Sequence, residues 1–108
     1  MNRSNLDGAS TGDNKAIELN PNYAEAYNNR GVTKAGKGDL KGILADYDRA
    51  INLKPNFFAT YVNRGSVKSR MGDTEGARSD FYEAIELNPV ARKTIHELGY
   101  SMTGTLLK

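Results

Sequence analysis

Ala84-Ile85-Glu86-Leu87-Asn88-Pro89 repeats Ala16-Ile17-Glu18-Leu19-Asn20-Pro21, and Ala50-Ile51-Asn52-Leu53-Lys54-Pro55 stands midway between them. Pro21, Pro55 and Pro89 are the only prolines in the chain and follow one another at 34 residues. That is the period of a repeated helix–turn–helix unit, each copy burying a seam against its neighbours. Proline cannot continue a helix and pushes the residue before it toward an extended conformation, so each proline marks a joint between units.

Working outward from the joints, the spacing predicts alternating helices. Asn22 and Asn56 are good N-cap residues, the first with Glu25 three residues on in a capping-box-like arrangement. The helix after Asn22 carries Tyr23, Ala24, Tyr27, Gly31 and Lys34, and Gly38 supplies the left-handed residue that a helix end favours. Asp39 caps a partner helix whose stripe, Leu40, Ile43, Leu44, Tyr47, Ala50 and Ile51, falls on one helix face. The second copy runs alike, with Phe58, Tyr61, Gly65 and Lys68, a stop at Met71-Gly72, and Asp73 capping a helix with Ala77, Phe81, Ala84, Ile85 and Leu87. A further helix after Pro89 carries Ile95, Leu98, Gly99 and Met102.

The ends are read in the same frame. Residues 1–12 are a leader rich in Asn, Ser, Gly and Asp, disordered or frayed, and they align with a decayed second helix. The array spans 13–105. Within it 13–20 are a partial second helix, 22–55 and 56–89 are full repeats, and 90–105 are a closing helix. Gly12 and Asp13 fall where Asp46-Tyr47 and Asp80-Phe81 stand, so a buried aromatic is replaced by a charge.

Composition narrows the function. An apolar share of 38% with few aromatics suits an array better than a globule with one central core. Fifteen basic against 13 acidic residues leave a net charge of +2, interspersed rather than gathered, so no nucleic-acid partner is expected. No apolar run approaches transmembrane length and the N-terminus has no signal-peptide core, so no membrane partner is expected. The chain has no cysteine, which excludes thiolate metal sites and a cysteine nucleophile and fits a reducing, cytoplasmic compartment.

The positions inside the period resemble the tetratricopeptide repeat family. Its pattern places a large residue at 4, a large–small pair at 7 and 8, a large residue at 11, Ala at 20, an aromatic at 24, Ala at 27 and Pro at 32. Ala24–Phe57 supplies Tyr27, Gly31, Tyr47, Ala50 and Pro55. Phe58–Ala91 supplies Tyr61, Gly65, Ala77, Phe81, Ala84 and Pro89, and the last helix supplies Ile95, Leu98, Gly99 and Met102. The resemblance implies an all-α fold, a right-handed superhelical α-solenoid of antiparallel helix pairs. Two departures stand out. Ile43 occupies the place of Ala, and overpacking of this kind costs ~1–3 kcal/mol, which predicts a first repeat splayed relative to the second. Arg30 and Arg64 replace an apolar residue at 7, with stems expected to snorkel along the seam and heads in solvent.

Little in the chain suggests catalysis. Gly31-Val32-Thr33-Lys34-Ala35-Gly36-Lys37-Gly38 nearly spells a phosphate-binding loop, but Gly38 has no hydroxyl for Mg²⁺ and a helix, not a strand, precedes it. Asp46, Asp48, Asp80 and Glu83 read as solvated helix faces. His96 is the sole histidine and lacks an evident partner for general-base work. No catalytic residue, metal ligand or cofactor is expected, and Tyr47 and Phe81 read as core.

Function is therefore expected on the concave face, lined mainly by first helices. Carrying over the family's groove positions singles out Glu25, Asn28, Asn29 and Val32 in the first copy and Val62, Asn63, Ser66 and Arg70 in the second. The last helix adds Lys93, His96, Glu97 and Tyr100. Asn29 and Asn63 share position 6, similar to the asparagine ladder that some members of the family carry. A carboxamide offers one acceptor and two donors, enough to hold the backbone of an extended peptide. The carboxylate clamp of chaperone-binding members is matched at Asn63 and Lys93 but not at Asn28, Val32 or Glu97. The implied function is a non-catalytic module binding a protein partner, an extended peptide or a helix, in its groove. The alternatives are a structural unit that self-assembles into a homo-oligomer through its terminal helices and, less favoured, an enzyme of unrecognised type.

Overall fold

Gly38 and Gly72 turn the chain at equivalent points, with φ of 82° and 85°, and the helices on either side of each fold back as a hairpin. In the computed structural model, which describes residues 12–100, the order is α1 (12–19), α2 (Ala24–Lys37), α3 (Leu40–Leu53), α4 (Phe58–Arg70), α5 (Thr74–Leu87) and α6 (Val90–Glu97). All described regular structure is helical. Two compact units divide the chain, Met1–Pro55 and Asn56–Lys108. The expected leader lies outside the described residues except for Gly12, which is helical.

In the first unit α2 pairs with α3, and Ile43, Tyr47 and Ala50 are buried between them. The closest approach is at Gly31, where an added Cβ would lie 2.5 Å from the Tyr47 ring. In the second unit α4 pairs with α5 around Phe81, which would meet a Cβ on Gly65 at 2.6 Å. One core joins Val62, Ala77, Phe81 and Ala84 with Ala91 and Ile95 of α6. The first pair is thus no looser than the second. Ile43 is fully buried, and the close approach of the pair lies one turn away, at Gly31 against Tyr47, as it does at Gly65 against Phe81 in the second pair.

The caps divide into two kinds. Asp39 and Asp73 accept the backbone N–H of Gly42 and Gly76 at 3.1 and 2.9 Å, as expected of N-caps. A Cβ on either glycine would meet the capping carboxylate, so these glycines are fitted to the cap. The expected caps Asn22 and Asn56 do not form. The N-cap positions are Tyr23 and Phe57, which make no side-chain cap bond. Asn20 and Asn88, before the first and last prolines, make a different local bond. Their side-chain oxygens accept from the backbone of Asn22 at 3.2 Å and Val90 at 3.0 Å, closing an Asx turn over the proline. Free N–H groups of α2 and α4 are met by main-chain carbonyls, Ala26 and Thr60 donating to Tyr23 and Phe57 at 3.1 Å.

The last helix is shorter than the spacing predicts. It ends at Glu97, and Gly99 has a φ of 96°, a left-handed stop. Leu98 is 54% exposed rather than in a seam. Tyr100 folds back, its ring centroid 5.0 Å from that of Phe81. Met102 and the rest of the expected 90–105 helix lie outside the described residues.

Candidate functional site

Each hairpin turns a charged cluster inward. Arg30 donates from Nε and a terminal nitrogen to the Asp46 carboxylate at 2.9 and 2.7 Å, and Lys34 lies 3.2 Å from the same group. Arg64 forks onto Asp80 at 2.9 and 2.7 Å, with Lys68 at 3.3 Å. Both aspartate side chains are only 4% exposed. This corrects two expectations. The arginine heads are held on carboxylates rather than released to solvent, and Asp46 and Asp80 are buried partners rather than solvated acids. Burial obliges a carboxylate to find a cation, and a guanidinium fork fits it with two parallel bonds. Asp48 and Glu83 are exposed. Each arginine also stacks on the preceding tyrosine, Arg30 on Tyr27 and Arg64 on Tyr61, both at 5.5 Å. The signal that reveals the cluster is the in-phase return of Tyr, Arg, Lys and Asp at 34 residues.

The surroundings shift several groups. Burial, and next the Asp46 carboxylate, push the Tyr47 phenol up to about 12. Asp46 holds the Arg30 guanidinium above its ordinary value. Helix α1 meets α2 through polar groups, Asn14 accepting from Arg30 at 2.9 Å and Asp13 from the Thr33 hydroxyl at 3.4 Å. Burial raises the Asp13 carboxyl despite that bond.

The expected groove residues separate into three sets. Asn29, Val32, Arg70, Lys93, His96 and Glu97 are exposed. Glu25 is ion-paired with Lys54 at 3.2 Å, Asn28 is nearly buried, Asn63 is half-buried, and the half-buried Ser66 donates its hydroxyl to the Val62 carbonyl at 3.1 Å. Its own backbone N–H, and next the Lys54 ammonium, hold the Glu25 carboxyl below the usual range. Val62 and Tyr100 pack inward. Val62 shares the core with Ala91 and Ile95 of α6, and Tyr100 covers Phe81. Among the described residues no three His, Cys, Asp or Glu side chains gather as a metal site, and no helix is long and apolar enough to cross a membrane.

Hairpins on a 34-residue period, each locking an aromatic over a glycine and a guanidinium onto a buried aspartate, define a helical repeat protein with no catalytic constellation among its described side chains. Two family models, both described as tetratricopeptide repeat, match residues 14–45 and 58–90. The chain belongs to the tetratricopeptide repeat family, whose members act as protein-interaction modules. No curated protein matches it in sequence. Among solved structures, MamA is similar over 87% of this chain at 22% identity and a TM-score of 0.78. YrrB, described as a TPR protein with an unusual peptide-binding site, is similar over 86% at 24% identity and 0.77. The first TPR of Spaghetti (RPAP3), bound to the HSP90 peptide SRMEEVD, is similar over 89% at 19% identity and 0.78. The chain spans about half the length of the MamA and YrrB chains, 55% and 48%, and 79% of the Spaghetti chain. At these identities the likeness establishes the fold.

Proposed function

We propose that the chain is a non-catalytic module that binds an extended peptide of a partner protein along the outward residues of its first helices. One observation carries the reading. Each hairpin ties one arginine, one lysine and one aspartate into a buried cluster, and α2 leaves an exposed carboxamide, Asn29, one turn from a valine, Val32, that is 50% exposed. A carboxamide holds peptide backbone without regard to side chain, and an exposed apolar neighbour gains by being covered. The similarity to YrrB and to the peptide-bound Spaghetti domain supports a peptide as the ligand. Glu97, exposed on α6, argues against an acidic tail with a free terminal carboxylate, such as SRMEEVD, because a fixed carboxylate repels it.

The test is selection of binders from a random-peptide library on the immobilised protein, followed by amide chemical-shift mapping. The expected result is a selectable peptide whose largest shifts fall on α2 and α4, with no loss when its C-terminus is amidated. Failure to select any peptide, or shifts confined to other helices, would count against the reading.

A further inference from the structure

The outer side of the second hairpin holds a shallow open recess where Tyr61 and Arg64 of α4 meet Tyr82, Glu83 and Glu86 of α5. Tyr82 is 45% exposed, and both glutamates are exposed. The period allows a direct comparison with the first hairpin, whose residues at these places are Tyr27, Arg30, Asp48, Arg49 and Asn52. There the Arg49 guanidinium lies 5.9 Å from the centre of the Tyr27 ring, beside Arg30 at 5.5 Å. The first hairpin thus supplies its own second guanidinium to that ring. In the second, Arg64 keeps its place over Tyr61 at 5.5 Å, but Glu83 stands where Arg49 would be.

The changes between the copies sum to a more acidic and more aromatic face. Arg49 to Glu83 removes a cation and adds a carboxylate. Asn52 to Glu86 adds another. Asp48 to Tyr82 removes one carboxylate and adds a ring. The positive charge of Arg64 does not cancel them, because it is forked onto Asp80 at 2.9 and 2.7 Å. Glu83 lines the same recess as Tyr61, and its carboxylate, after burial, pushes the Tyr61 phenol up. Aromatic faces and carboxylates together select a flat, weakly hydrated cation, and a guanidinium pairs with a carboxylate while stacking on a ring.

We propose that this recess binds an arginine side chain of a partner protein, seating its guanidinium over Tyr61 as Arg49 sits over Tyr27. None of the residues assigned to the peptide face is used, so the two readings stand or fall separately.

The test is an amide chemical-shift titration of the whole chain with the blocked peptide Ac-Ser-Gly-Arg-Gly-Ser-NH2 and with its lysine and citrulline counterparts. The arginine peptide is expected to shift Tyr61, Arg64 and residues 79–86 saturably, the lysine peptide more weakly, and the neutral citrulline peptide not at all. Glu83→Gln is expected to weaken arginine binding about fivefold. Glu83→Arg, which supplies the guanidinium internally, is expected to abolish it. Both substitutions are at an exposed helical position, and circular dichroism checks the fold. No saturable shift, equal binding of citrulline, or full binding to Glu83→Arg would overturn the proposal.

Discussion

Gly31 and Gly65 sit beneath aromatic rings that leave no room for a methyl group. The first ring atom lies 2.5 and 2.6 Å from an ideal Cβ, and both rings are buried, Tyr47 at 2% and Phe81 at 0% exposure. Gly65→Ala gains up to ~1 kcal/mol of helix propensity but overpacks the core. The net expectation is a loss of ~1–2 kcal/mol in urea unfolding. The two rings differ in one atom, the Tyr47 hydroxyl, and so in their response to alkali. The Tyr47 phenol is raised by burial to about 12 in the folded state, against 10 when exposed. A raised group contributes stability that is present below its unfolded value and lost as pH rises through the folded one. Stability should therefore fall between pH 10 and about 12. Tyr47→Phe should shrink that fall, leaving the part from Tyr61, whose phenol is raised by burial and then by Glu83. Thermal melts in a pH series check it.

At the scale of the element, each hairpin is a pair of helices closed by a buried charge cluster. Asp80 carries two cations, Arg64 at 2.7 Å and Lys68 at 3.3 Å, so its removal takes a buried carboxylate from both. Asp80→Ala is expected to cost ~2–4 kcal/mol, and Arg64→Met less, because Lys68 remains to pair the carboxylate. A double-mutant cycle of Arg64→Met with Asp80→Ala, read in urea unfolding, should show coupling above ~1 kcal/mol. These clusters mark where sequence reasoning stopped. Helix count, turn glycines and the Asp39 and Asp73 caps were legible because each depends on local residue chemistry. The Arg–Asp forks were not, since an acid on a helix reads as solvated until the partner helix brings a cation 16 residues away against it. The end of α6 was missed for a similar reason. Gly99 fitted the repeat as a packing residue, but it takes a left-handed φ of 96°, and Tyr100 beyond it covers Phe81.

At the scale of the whole molecule, near-neutral charge gives no single charged face, and function falls to particular outward side chains. The candidate residues were legible only as register positions. The period placed Asn29, Val32, Lys93 and His96 where they are exposed, but could not foresee that α6 would draw Val62 into a shared core. The central claim is that carboxamides on the first helices hold peptide backbone. The most direct measurement is the affinity, by fluorescence anisotropy, of a library-selected peptide for the native protein and for Asn29→Ala, Asn63→Ala and the double variant, each matched by thermal melt. The account predicts about tenfold weaker binding by the double variant, or ~1.4 kcal/mol, with folding retained. Undiminished affinity in a folded double variant would contradict it.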